Sequence, residues 1–461
     1  MPYILCFGIL LYFAGGNAVA KEHKTFQQPF FNIYKELVEI NTTNSVGSTT
    51  VASQAMKKHL VAAGFESKDV EIIEPFPTKG NLVVRFKGKG NKKPLLLLAH
   101  IDVVEADPKD WQTDPFTLVE KNGYLIARGA VDDKAMAASF VSILAQLKQE
   151  GFMPNRDIIL ALTADEEIGS SKANGSAWLI KNKRELIDAE FAINEGARGV
   201  LKNDKPFTHI VQLAEKTYAN YIFSAVGPGG HSARPTQANT IYDLSEALKR
   251  LRDYQFPVIL NDLAKAYFSK SATVAKGILA EDMRSLASKS PSDEAINRIS
   301  KIPHMVGLLR STCVATMLKA GHAPNALSQK SEATINCRIL PDDDPDMIMA
   351  QLTKLAGSKV VVKRIRQDPS SPRSPLRLDI INSIEQISAQ LWQGVPVIPT
   401  QGVSTTDSRR FRAAGIPVYG VSGMFVDPKN VGTHGLNEKI KKRDLFTGRE
   451  FLYRLVKKLS M

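Results

Sequence analysis

Four short apolar runs limit what this chain can fold into. NLVVRFKG (81–88), PLLLLAHIDVV (94–104), DIILALTA (157–164) and EFAINEG (190–196) are apolar along most of their length instead of alternating with polar residues. Such runs are typical of strands covered on both faces in a parallel sheet. FFNIYKELVEI (30–40), SQAMKKHLVAAGF (53–65) and DDKAMAASFVSILAQLKQEG (132–151) show helical spacing instead. Strands that feed helices predict an α/β layer with a mostly parallel sheet.

The style changes near Lys216. ANYIFSAVG (219–227) reads as a strand of alternating exposure and TIYDLSEALKRLRDY (240–254) as a helix. A mostly helical insertion follows, from about Gln255 to Met305. GLLRSTCVATMLKAG (307–321) and SEATINCRIL (331–340) then flank the turn-rich HAPNAL, before a helix at 344–357 and a strand at 358–365. The order βαββαβ matches a ferredoxin-like α+β unit. DPSSPRSPLR (368–377) reads as a linker, after which the α/β style returns. The expected domains are 21–216 and 368–461 for the larger unit, with 217–367 inserted into it. FKGKGNKK (86–93) lacks phosphate-loop spacing and reads as a hairpin turn.

Residues 1–20 carry no charged side chain and end in Ala18-Val19-Ala20, a secretory leader pattern with cleavage near Ala20. An uncleaved anchor is the alternative, although the apolar run is short for a span. No stable membrane span is expected once the leader is removed, which places the protein outside the cell or in the periplasm. The formal charge of +13 comes from scattered basic residues without a nucleic-acid-reading motif. Nucleic acid is therefore not an expected partner. Beyond the leader only Cys313 and Cys337 remain. A hairpin centred near Asn325 sets them face to face, as a disulfide or as two buried thiols. The sequons at Asn41 and Asn174 matter only in a glycosylating host.

Polar residues with metal or acid–base chemistry recur where the buried strands end. His100 and Asp102 lie two apart, on one face of a strand, so the carboxylate can orient the imidazole. Asp132 and Asp133 precede a helix, where Asp is ordinarily a cap. Glu166 and Glu167 are neighbours that point different ways. They read as loop acids or as two carboxylates with separate jobs. Glu195 closes a strand, and His434 sits between glycines in a late loop. Each motif is weak alone. Together, at the carboxyl ends of parallel strands, they mark a site. Two imidazoles and several carboxylates suit zinc or a similar borderline metal, in number enough for two ions sharing a carboxylate.

AHIDVV, Trp111 with DPF (114–116), ARGAVDDK, TADEEIGS, NEGARG, GPGGHSARP and GTHGLNE stand in an order that resembles one family. It is that of the dinuclear zinc exopeptidases, which includes bacterial glutamate carboxypeptidase, aminoacylase, carboxypeptidase S and succinyl-diaminopimelate desuccinylase. The resemblance implies a parallel-sheet catalytic domain with an inserted lid and dimerisation domain. It implies two Zn(2+), replaceable by Co(2+) or Mn(2+), with His100 and Glu195 on one ion, Glu167 and His434 on the other, and Asp132 bridging. It makes Glu166 the general base, puts Asp102 behind His100, and implies a cis peptide bond after Asp132.

It further implies that His231 reaches a partner's site in a homodimer built through the inserted domain. Asn325 and Arg338 would hold a substrate carboxylate, and Thr406 and Asp407 would touch substrate. Without the resemblance, His231 is an incidental turn residue and Arg338 an exposed strand residue. The implied activity is hydrolysis of a small peptide or N-acyl amino acid beside a free carboxylate. A carboxypeptidase- or dipeptidase-like exopeptidase leads, and an N-acyl-amino-acid hydrolase is the alternative. A catalytically inactive binding member would lack ligands or base, whereas this sequence keeps Glu166 and all five ligands.

Overall fold

The computed structural model describes residues 15–169, 171–402 and 405–461, with side chains from Phe26 onward. The expected leader lies, for residues 1–14, outside the described residues; residues 15–20 begin a helix, Gly15–Glu39. Among the described residues no helix is long and apolar enough to cross a membrane.

The apolar runs assemble into one ten-stranded mixed sheet. Its order is Val70–Ile73, Asn81–Phe86, Arg156–Thr163, Lys92–His100, Phe191–Asn194, Val418–Gly420, Lys205–Glu215, Gly199–Lys202, Phe425–Val426, with Val397–Gly402 pairing beside Lys205–Glu215. The middle four strands, from Arg156–Thr163 to Val418–Gly420, run parallel. The leucine run explains the two-sided apolarity. Leu95, Leu97 and Ala99 join one core, with Phe140 and Leu144 of helix Lys134–Gln149 and Phe451 and Leu455 of helix Lys442–Leu459. Leu96 and Leu98 alternate to the opposite core, with Leu179 and Phe411.

Three expectations are corrected. Asn81–Phe86 is buried as its composition implies, yet it runs antiparallel to Arg156–Thr163. FKGKGNKK is no hairpin, because Arg156–Thr163 lies between the strands it connects. Its Gly88 serves a close approach instead, since a Cβ there would stand 2.4 Å from the Arg156 carbonyl oxygen. Residues 368–377 are irregular but packed: Ser374 N donates to Leu213 O, and Ser371 and Ser374 are buried.

A separate antiparallel sheet has the order Thr312–Ala320, Lys330–Ile339, Thr217–Val226, Val361–Gln367. Helices Thr240–Asp253 and Pro345–Ala356 cover one face, burying Leu244 and Leu352 against Tyr221, Phe223 and Ile335. Four helices between residues 262 and 309 close on a core of their own around Phe268, Leu286 and Ile299. The hairpin register pairs Cys313 with Cys337, and the two form a disulfide with Cα atoms 4.1 Å apart.

Candidate active site

Neighbouring parallel strands end side by side, and their ends deliver the polar residues to one place. His100 ends Lys92–His100, Glu195 follows Phe191–Asn194, and Glu166 and Glu167 follow Arg156–Thr163. His100 Nε2 lies 3.2 Å from Asp132 Oδ1 and 3.9 Å from Glu195 Oε1. His434 enters from a loop at φ 59, its Nε2 2.9 Å from Glu167 Oε2 and 3.6 Å from Asp132 Oδ2. Asp132 therefore reaches toward both imidazoles. Ligand atoms of His100, Asp132 and Glu167 lie within 4.8 Å of one another, as do those of His100, Glu166 and Glu195. Glu166 thus stands at the edge of the ligand set.

Asp102 does more than stand behind His100. Its carbonyl oxygen accepts from His100 Nδ1 at 3.0 Å, which leaves Nε2 with its lone pair facing inward. Its two carboxylate oxygens accept from the backbone N–H groups of Glu166 and Glu167, each at 3.1 Å. Asp165 had no role in the sequence reading. It sits at φ 55, 2.7 Å from Lys79 Nζ, and accepts from Ser171 Oγ, fastening the acidic loop from outside.

The Asp132–Asp133 peptide is cis. Asp133 occupies the N-cap position of helix Lys134–Gln149 but makes no capping hydrogen bond, so the ordinary cap reading fails. Glu438 shapes this turn, and the sequence reading missed it. Its carboxylate accepts from the N–H groups of Gly129, Val131 and Asp132 and from Arg128 Nη1. The signal available was its place in GTHGLNE, four residues past His434.

Burial raises the proton affinity of Glu166 and Asp133 well above the carboxylate range and that of Glu195 to about 8, with Asp132 adding to the last. Burial alone would lower His100, but hydrogen bonds to Asp102 and Asp132 hold it raised. His434 is raised by its hydrogen bond to Glu167. Crowded carboxylates that resist ionisation call for added positive charge. The nitrogen and oxygen donors present fit a pair of divalent cations of the zinc type.

The remaining candidates lie elsewhere. His231 is exposed on a short ladder opposite Ala326, and Ser232 N donates to Asn325 O. Among the described residues no hydrogen bond or ion pair joins His231 or Asn325 to the acidic cluster. Arg338 is partly buried and stacks over the Tyr218 ring, 4.7 Å from its centroid. Thr406 is buried, its N–H donating to Glu215 Oε1 at 2.7 Å. Asp407 has a buried carboxylate that accepts from Thr163 Oγ1, Asn174 Nδ2 and Ser176 Oγ, so it braces the strand end. Asn174 is buried, and its amide nitrogen donates to the Asp165 carbonyl oxygen as well.

The model of the peptidase family M20/M25/M40 matches residues 96–458. The N-fatty-acyl-amino acid synthase/hydrolase of Xenopus tropicalis is 28% identical over 382 residues, covering 80% of this chain and 74% of that one. A probable carboxypeptidase S-like protein of Dictyostelium discoideum is 26% identical over 393 residues, covering 82% and 74%. A metallo-carboxypeptidase of Sulfolobus solfataricus superposes with a TM-score of 0.65 at 18% identity, covering 93% of this chain and 98% of that one. A Bacillus subtilis protein described as a dinuclear metal binding peptidase does so with a TM-score of 0.60 at 12% identity, covering 95% and 99%. With the family match spanning most of the sheet, the acidic cluster and the inserted unit, the chain belongs to the peptidase family M20/M25/M40 and is a hydrolase.

Proposed function

We propose that this hydrolase cleaves a peptide or N-acyl amide bond beside a free carboxylate, as a carboxypeptidase- or dipeptidase-like exopeptidase. The observation that carries the reading is the convergence of His100, Asp132, Glu167, Glu195 and His434, with Glu166 at the edge. His100 and Glu195 would hold one cation, Glu167 and His434 the other, with Asp132 shared; zinc suits these donors and Co(2+) or Mn(2+) would substitute. When bound, such ions supply Lewis-acid polarisation and acidify water. Glu166, partly buried beside the ligands, takes a proton from the attacking water on its carboxylate and delivers it to the leaving nitrogen. Asp102 holds His100 in the tautomer that presents Nε2. Arg338 offers the planar fork that a substrate carboxylate fits.

A second reading, an N-acyl-amino-acid hydrolase, is supported by the activity named for the Xenopus relative. Screening dipeptides against N-acyl amino acids with zinc-loaded protein separates the two. Glu166→Gln should lower turnover by at least ~100-fold while two metal ions per chain remain bound; retained turnover removes Glu166 as base.

Export and a homodimer belong to the same proposal. The cystine fits an oxidising compartment. Thr312–Ala320 is an edge strand exposing Val314, Met317 and Leu318, a surface suited to pairing with a second copy. A monomer by sedimentation at micromolar concentration would end the dimer.

A further inference from the structure

Basic side chains gather where the inserted sheet meets the acidic loop. Tyr218, Arg338 and Arg366 stand on three adjacent strands, with Tyr218 in register with Arg338 and Asn220 with Arg366. The guanidinium carbons lie 4.7 Å and 4.8 Å from the Tyr218 ring centroid, so two cations share one ring. Arg366 also lies against Gly169, where a Cβ would come within 3.3 Å of its Nη2. Arg410 approaches from the other side, with Nη2 3.5 Å from the Gly169 carbonyl oxygen. Gly169 comes two residues after Glu167, so both guanidiniums border the loop that bears Glu166 and Glu167.

The acids that face these cations are Asp368, Asp407, Glu166 and, beside Lys216, Asp343. Asp368 is shared by Arg409 and by Arg366 Nε, the latter at 3.3 Å. Asp407 is 3.7 Å from Arg410 Nε but accepts from Thr163, Asn174 and Ser176. Lys216 is buried beside Arg338 with its amine on the Arg310 carbonyl oxygen, and burial first, then Arg338, lowers its pKa to about 7. Two guanidiniums over one ring repel each other, and an incoming anion relieves that repulsion. Arg366 spends its Nε on Asp368, which leaves its two terminal nitrogens as a fork of the kind that takes a carboxylate.

We propose that Arg366, with Arg410 beside it, forms a second anion subsite, separate from the Arg338 carboxylate contact, that selects substrates carrying an acidic side chain next to the scissile amide. This rests on the amide-hydrolase reading above. Substrates with two carboxylates engage both arginines, whereas substrates with one engage Arg338 alone.

The test compares kcat/KM for N-acetyl-glutamate with that for N-acetyl-leucine, and for Ala-Glu with Ala-Leu, in zinc-loaded wild type, Arg366→Gln and Arg366→Lys. The acidic-to-neutral ratio should fall at least tenfold in R366Q and by less in R366K, which keeps charge but loses the fork. A ratio equal to wild type in R366Q, with the fold intact by melting, overturns the subsite and leaves the amide-hydrolase reading standing. If wild type hydrolyses none of the four substrates, that reading fails, and calorimetric titration of glutarate against butyrate decides the subsite. A wild-type preference for glutarate that R366Q loses supports it. No preference in wild type, or one that R366Q retains, overturns it. A packing role for the Arg–Tyr–Arg row would change stability without moving either ratio.

Discussion

Asp102 is buried, and each of its oxygens is assigned: the carbonyl to His100, the two carboxylate oxygens to the backbone of Glu166 and Glu167. One residue thus orients a ligand through its backbone and sets, through its side chain, the direction in which two acids leave the strand. Asp102→Ala keeps the carbonyl that holds His100 but releases the backbone of Glu166 and Glu167, and should weaken metal binding about 10–100-fold, the range for lost outer partners of metal ligands; metal titration by calorimetry checks it. Asp102→Asn, which keeps one acceptor oxygen, should lose less. That His100 and Asp102 act together was legible in their spacing, but the strand ends at His100 and the imidazole bonds the Asp102 carbonyl oxygen where the carboxylate was expected. The bonds to Glu166 and Glu167 were not legible, because they cross to a neighbouring strand. The bracing role of Asp407 was hidden for a related reason: its partners Thr163, Asn174 and Ser176 are distant in the chain.

At the scale of elements, the turn before helix Lys134–Gln149 is held from outside by Glu438, whose ion-pair partner Arg128 is equally buried. Breaking a buried pair by removing one partner costs about 3–5 kcal/mol. Glu438→Ala should show that loss in urea unfolding, together with weaker metal binding, because the Asp132 N–H loses its acceptor. The hairpin of the inserted sheet depends on the cystine, which closes a separation of 24 residues. Cys313→Ala should lower stability by about 2–4 kcal/mol, with a matching loss in wild type under reductant. The hairpin and its register were legible from two apolar runs around a turn. The place of Asn81–Phe86 was not, since burial writes apolarity into a strand without writing its direction. Sheet order is likewise set by long-range pairing, which is why the strand between the ends of FKGKGNKK stayed hidden.

For the whole molecule, acid sensitivity has an identifiable source away from the site. His209 is fully buried among Trp392, Phe425 and Phe451, its Nδ1 against Ser388 Oγ, and burial lowers its pKa from 6.5 to about 3. The folded chain therefore holds fewer protons than the unfolded one between those values, and stability falls as pH drops from about 6.5 toward 3, by about 1.4 kcal/mol per unit. His209→Phe should flatten that slope in unfolding experiments run at pH 4 and pH 7. An unchanged slope would assign the acid loss to other groups.

The contacts of the site also span great lengths of chain. His434 meets Glu167 across 267 residues, and Glu438 meets Val131 across 307. During synthesis the first half of the site emerges long before the residues that close it. A chain released or translocated in its N-terminal two-thirds carries His100, Asp132, Glu167 and Glu195, but neither the second imidazole nor the carboxylate that holds the Asp132 turn. Maturation is therefore ordered by the chain itself: metal loading is a late event that follows completion of the polypeptide, and unfinished chains remain inert.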